Sequence, residues 1–334
     1  MAVARMRDRI RRVSQALIDA VLWAPNESGL INLPRLRESV NYQTAHSGDG
    51  GLEPEETQRE IRGLIDSPSP SLVGRFGSTE LRLVLRDHNR RNRSAAQKAY
   101  ALLTRLEAPV WVPWEEAAIR KKSGFYPVTR ESTREFSKLM LHSAKKVDLL
   151  GSWVPGENHL RDYFPTASIT TLSSLSPFGF ENPWTSSLRN KKVLVIHPFA
   201  DTIQQQFVKR EMLHRNALVL PECDLLTLRA VQSLGTPPAQ FATWFDGLES
   251  MVVKARAIEF DVAIIGCGAY GFPLGALLKS LGKKAIVLGG LVQLLFGIKG
   301  KRWDNSGLYN EHWTRPLECE KPDGYRGADG GAYW

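Results

Sequence analysis

The chain has 334 residues, 43% of them hydrophobic, enough for a full core in one large or two modest domains, so it reads as globular. A formal charge of +9 favours acidic partners, but Lys and Arg are interleaved with acids rather than gathered in one tract. Nucleoside diphosphates or an anionic membrane surface fit that balance, whereas nucleic acid is excluded as a specific partner for want of any motif. Cys223, Cys267 and Cys319 are odd in number and widely spaced, without metal-ligand pairing, which predicts free thiols and a cytoplasmic location. No run of about 20 apolar residues could span a bilayer, and the start of the chain lacks a signal-peptide core.

In chain order, residues 3–22 place Ile10, Val13, Leu17, Ile18, Val21 and Leu22 on one helical face behind Arg5, Arg7, Arg9, Arg11 and Arg12. This basic amphipathic helix packs on its own domain or on a homodimer mate, with peripheral membrane contact as the alternative. Residues 44–56, with Gly48, Gly50 and Gly51, predict a mobile loop, so residues 1–55 are set apart from a single catalytic domain over 56–334. A helix through Ile61 and Leu64 is followed by a strand over 71–76, a turn at Gly77 and a helix carrying Leu81, Val84 and Leu85. Another helix over 94–106 leads to the aromatic run 109–114, then come a helix over 133–144, a strand over 147–153 and a long connection over 165–189.

The second half is cleaner, and its nucleotide-binding part is set at about 190–334. It reads as strand 192–197, helix 202–213, strand 217–220, helix 239–258, strand 261–265, a helix and strand 285–288. Such alternation predicts an α/β protein, a Rossmann-like and mostly parallel sheet with helices on both faces. The tail over 290–334 carries Trp303, Tyr309, Trp313, Tyr325, Tyr333 and Trp334 and is expected to wrap the body.

Ligands of a parallel sheet collect outside the carboxyl ends of its strands, so the strand-to-helix junctions hold the candidates. The first is Arg75-Phe76-Gly77-Ser78-Thr79-Glu80: Arg75 is a phosphate ligand by type, and Glu80 a metal ligand or proton acceptor. The plain alternative is that Ser78 or Thr79 caps a helix whose dipole favours Glu80. The second is His197-Pro198-Phe199, where His197 is a candidate acid, base or phosphate donor, or else a structural histidine. The third is Gly266-Cys267-Gly268-Ala269-Tyr270-Gly271, a G-x-G-x-x-G turn between strand and helix that suits phosphate. The acid that a nicotinamide or flavin site wants about 20 residues on is missing, because the next strand ends in Gly289-Gly290. Lys299, with Gln293, Lys301 and Arg302, could add polar groups beside the same rim, and Glu157 could reach it from another strand end.

Together the segments 71–80, 195–199 and 266–271 resemble the GT-D type glycosyltransferases of bacterial surface polysaccharide and glycoprotein assembly, over roughly residues 60–334. The resemblance implies a hexosyltransferase-like enzyme moving a sugar from a nucleoside diphosphate donor, a UDP-sugar, on a Rossmann-like domain. With the residues read above, donor binding is expected from Phe76, Gly77, Ser78, Thr79, Gly266, Gly268, Ala269, Tyr270, Gly271 and Lys299, and catalysis from Arg75 and Glu80 with His197 in a supporting polar role. The family stretch Arg-Phe-Gly-Asp-Gly-Glu binds a divalent cation, Mn or Mg, through its Asp-x-Glu pair. Here Ser78 stands for the aspartate and Thr79 for the glycine, which leaves Glu80 alone and puts metal use in doubt.

The expected function is therefore a cytoplasmic glycosyltransferase of polysaccharide biosynthesis, at the inner membrane face, acting on a lipid-linked or glycan acceptor. The alternatives are a non-catalytic nucleotide-sugar-binding subunit of an assembly complex, to which Ser78 lends weight, and a nicotinamide-dependent oxidoreductase, which rests on the glycine turn alone.

Overall fold

The computed structural model describes residues 51–92, 113–327 and 329–334. The N-terminal helix, most of the loop after it, the helix over 94–106 and most of the aromatic run lie outside the described residues. From Gly51 the order is α1 (Pro54–Asp66), β1 (Leu72–Gly74), α2 (Ser78–Asn92), α3 (Pro113–Ser123), α4 (Arg130–Ala144), β2 (Leu149–Ser152) and β3 (Ser168–Thr171). The second half adds β4 (Lys192–His197), α5 (Ala200–Phe207), α6 (Arg210–Leu213), β5 (Asp224–Arg229), α7 (Trp244–Arg256), β6 (Val262–Ile265), α8 (Gly271–Ser280), β7 (Lys284–Val287) and α9 (Leu291–Leu295).

The helices begin where the sequence supplies caps. Thr129 accepts from the Ser132 amide at the head of α4, and Thr243 accepts from the Asp246 amide at the head of α7. In α7 the Asp246 carboxylate returns the bond to the Thr243 amide, closing a reciprocal box.

Seven strands form one sheet in the order β3-β2-β1-β7-β6-β4-β5, and every pairing is parallel. A buried strand sends successive side chains to opposite faces, and the cores follow that period. Leu72, Leu150, Leu194, Ile196, Ala263, Ile265, Ala285 and Val287 enter one layer, with Leu81 and Val84 of α2, Phe136 of α4, Trp244 of α7 and Leu274 of α8. Val73, Leu149, Val193, Val195, Val262, Ile264 and Ile286 enter the other, with Ile61 of α1, Ile203 of α5, Val292 of α9 and Trp313 and Trp334 of the tail. The chain is thus an α/β protein with a Rossmann-like parallel sheet covered on both faces.

Neighbouring β1 and β7 send their following segments to opposite layers, α2 to the first and α9 to the second. A crevice at shared carboxyl ends is what such a switch produces, and it is where ligands of open parallel sheets bind.

The expected helix 202–213 is two, α5 and α6, α3 is an addition to the expected elements, and two strands differ from expectation. Residues Ala217–Val219 form a short 3-10 turn, in which the Asn216 side chain accepts from the Leu218 amide, and the strand is β5, five residues further on. The connection over 165–189 contains β3. The tail does lie on the body: the Gln293 side chain donates to the Tyr333 and Lys299 carbonyls, and the Trp334 ring packs 6.0 Å from Phe199. Among the described residues no helix is long and apolar enough to cross a membrane.

Candidate active site

The strand period decides which junction residues reach the rim. Arg75 lies two positions past Val73, His197 two past Val195 and Gly266 two past Ile264, so all three continue the rows that face the α5 and α9 layer. Phe76 and Cys267 continue the opposite rows and are buried with α2 and α8.

The three residues converge. Gly266 is packed so closely that a Cβ there would stand 2.7 Å from the Gly289 carbonyl oxygen, 2.7 Å from His197 Cδ2 and 2.9 Å from Val292 Cβ. Gly289, in the left-handed region at φ 59°, has the Arg75 guanidinium against its Cα, where any Cβ would collide with Nη2. Arg75 therefore bridges the first half of the chain to the glycines of the second. Its guanidinium also donates to the Phe76 carbonyl at 3.2 Å and lies over the Trp153 ring, 5.7 Å from the centroid. Because two of the three obstacles at Gly266 are backbone or Cβ atoms that cannot swing away, Gly266→Ala should force β6 and β7 apart. We expect a loss of about 1–3 kcal/mol, read from urea unfolding midpoints, and an unchanged midpoint would contradict this packing.

Several expected donor ligands are corrected. The Phe76 side chain is fully buried, 4.8 Å from the Phe272 ring, so only its carbonyl belongs to the rim. Tyr270 stacks on Trp244 at 4.5 Å and is 2% exposed, while Ala269 buries its methyl in the same layer and keeps only its amide for a donor. Gly271 serves packing instead, since a Cβ there would stand 3.0 Å from Val287 Cγ1. Lys299 sits 5.7 Å from the Tyr309 ring centroid and its amide donates to the Thr314 carbonyl; its observed partners are tail residues.

What the turn does offer is backbone. Gly268 is exposed, takes φ 58° and has nothing within 4 Å of its Cβ position. Gly268 and Ala269 open a helical turn, so their amides have no intrahelical acceptor and are free for an anion. The junction after β4 offers no such amides. Glu320 of the tail accepts from the Asp201 and Thr202 amides, at 2.8 and 3.3 Å, and from the Thr202 hydroxyl, so the chain's own carboxylate fills the head of α5.

His197 is corrected as an acid, base or cation. It is 4% exposed, and burial pulls its imidazole from 6.5 to about 3, while Nδ1 accepts from the Phe199 amide at 3.0 Å. A neutral ring with Nδ1 engaged keeps its proton on Nε2 and can only donate there.

Glu80 is 7% exposed, and its carboxylate folds back over Gly77 without a hydrogen bond or ion pair among the described residues. It stands in the first turn of α2, where the helix dipole favours a carboxylate, and no donor among the described residues engages it. It keeps to the first junction, with Ser78 and Thr79 half-buried beside it. As a cation site this set does not fit: a hard divalent ion takes about six oxygens, several of them anionic, and Glu80 with a serine supplies one carboxylate. Among the described residues no group of three or more His, Cys, Asp or Glu could hold a metal ion.

Sequence reasoning underrated the end of β2. Glu157, buried after Gly156, accepts from the Ser152 hydroxyl and from the Trp153 and Val154 amides at 3.2 Å. Burial raises its carboxyl from 4.5 to about 7, against those bonds and the Arg75 charge. The sign of each shift gives a test. Unfolded chain takes a proton on His197 below pH 6.5 that folded chain refuses until about 3, so that stability is lost as pH falls. Folded chain keeps a proton on Glu157 that unfolded chain releases above 4.5, so that stability is lost as pH rises through about 7. Between pH 4.5 and 6.5 the two slopes oppose. Glu157→Gln should expose an acid loss approaching about 1.4 kcal/mol per pH unit, and His197→Gln a loss toward alkali, both read by urea melts across pH. Parallel profiles for the two variants would contradict the assignment.

No family model and no curated protein matches the chain. Two solved structures are similar to it. One is a selenomethionine-substituted structure of domain of unknown function 1792, 12% identical, with 82% of this chain and 88% of that chain covered at a TM-score of 0.40. The other, described as the highly conserved domain of unknown function 1792 with a distinct glycosyltransferase fold, is 12% identical, with 80% and 91% covered at a TM-score of 0.40. Likeness of this degree decides neither fold nor function; the first stands on the sheet and the second on the residues at its edge.

Proposed function

We propose that the protein is a cytoplasmic glycosyltransferase that moves a sugar from a nucleoside diphosphate donor, a UDP-sugar, to a surface-glycan or lipid-linked acceptor. The observation that carries this reading is the meeting of Arg75 with Gly289, which packs in turn on Gly266, at the β1–β7 switch, with Glu80 in the junction that Arg75 opens. A guanidinium and free turn amides at one sheet edge suit a diphosphate. A cofactor oxidoreductase is disfavoured, because the end of β7 carries a glycine covered by Arg75 where a ribose-binding acid would stand. A binding-only subunit is the second reading, and nucleotide binding without turnover in the presence of acceptor would favour it.

In the transfer step an acceptor hydroxyl oxygen bonds to the anomeric carbon as the bond from that carbon to the phosphate oxygen breaks. The electron pair leaves with the diphosphate, whose growing charge is met by Arg75 and by the Gly268 and Ala269 amides. The hydroxyl proton passes to Glu80. His197, neutral, donates through Nε2 and carries no charge. The test is UDP release by the purified full chain across a panel of UDP-hexoses and UDP-N-acetylhexosamines, with and without glycan acceptors. Turnover supports the reading, and no binding or turnover of any nucleotide sugar ends it.

A further inference from the structure

Trp153 is an anomaly of the rim. It is 36% exposed, although a large apolar ring is ordinarily drawn inside. It is also fixed: its indole N–H donates to the Phe76 carbonyl at 2.7 Å, its amide donates to Glu157 Oε2 at 3.2 Å, and the Arg75 guanidinium lies over the ring. A ring held by three anchors loses little entropy when a ligand settles on it, and its negative face attracts C–H groups of a flat partner.

The order of strands says which partner. Along the edge run Trp153 after β2, Arg75 and Glu80 after β1, Gly289 after β7, and the exposed Gly268 turn after β6. If the phosphates lie between Arg75 and the Gly268 turn, the nucleoside falls toward β6 and the opposite end of the donor falls toward β2. We propose that Trp153 is a platform on which a pyranose ring stacks by its apolar C–H face. This deepens, and rests on, the nucleotide-sugar reading of the site. The ring belongs either to the donor sugar or to the acceptor, and the Glu157 bonds to the Trp153 segment make Glu157 its positioning residue.

The experiment uses the full chain labelled with nitrogen-15 at its tryptophan indoles, with the Trp153 signal assigned by its disappearance in Trp153→Phe. UDP alone, which touches the ring only through Arg75, should move that signal less than a sugar probe does. A shift with UDP-glucose or UDP-N-acetylglucosamine places the donor sugar on the ring, and a shift with methyl glucopyranosides added over UDP places the acceptor there; either supports the proposal. Trp153→Ala should weaken the effective sugar probe about tenfold more than it weakens UDP, whose own loss reports the freed Arg75 guanidinium. The proposal is overturned if UDP alone moves the signal as far as the UDP-sugars do, which would seat the base there. It is also overturned if UDP binds by calorimetry and no sugar probe moves the signal. If neither UDP nor any UDP-sugar binds, the nucleotide-sugar reading itself falls.

Discussion

Arg75→Ala is expected to lower kcat/KM for sugar transfer by about 10²–10³, close to the loss seen when one preorganised donor to a developing anion is removed. Arg75 stands where two halves of the chain meet: it leans on Gly289, donates to the Phe76 carbonyl and lies over Trp153. These contacts hold the guanidinium before any ligand arrives, so its charge need not be reoriented as the diphosphate leaves. Arg75→Lys should recover little, because a lysine ammonium cannot supply the planar fork that grips two phosphate oxygens. Both variants should keep the fold, since the side chain is only half-buried and fills no core layer. Initial-rate kinetics beside a thermal melt separate the two effects, and an Arg75→Ala enzyme with near-normal kcat/KM would remove Arg75 from the chemistry.

Glu80→Gln should cost activity by about 10²–10⁴, the range for loss of a general base, while leaving the folded chain about as stable as before. The asymmetry follows from the lack of a partner: no donor among the described residues engages the carboxylate, so exchanging it for a neutral amide of the same shape breaks no bond of the fold. A carboxylate kept only as a helix cap would give the opposite pattern, lower stability and intact turnover. Glu80→Asp, which withdraws the carboxylate by one methylene, should keep the fold and little of the rate. Turnover and urea midpoints measured on the same preparations decide between the readings.

The interior of the sheet was legible in the sequence and its edges were not. The run Lys192–His197 is expected and found with the same bounds, because a strand buried on both faces shows an unbroken apolar run. The two strands misread, β3 and β5, are the two ends of the strand order. Edge strands need little apolar signal: β3 is Ser-Ile-Thr-Thr, and β5 opens with Asp224 and closes with Arg229. The more apolar run Ala217–Leu220 drew the prediction away, although the Asn216 cap turns it into a 3-10 turn.

The site divides in the same manner. That Arg75, Glu80 and the glycine turn end at strand junctions could be read locally. Their meeting could not, since the contact of Arg75 with Gly289 depends on β1 pairing with β7. A motif names a whole segment and so draws in the Phe76 and Tyr270 side chains, whereas counting two positions past each last buried residue separates rim from core. Glu320 at the head of α5 left no local trace at all, because the carboxylate comes from the far end of the chain.

The most direct measurement is a crystal structure of the chain grown with UDP and a turned-over UDP-sugar. The account predicts pyrophosphate oxygens within about 3 Å of the Arg75 guanidinium and the Gly268 amide, with the anomeric carbon on the Glu80 side. A nucleotide seated away from the β1–β7 edge, with Arg75 touching none of its phosphates, would contradict it.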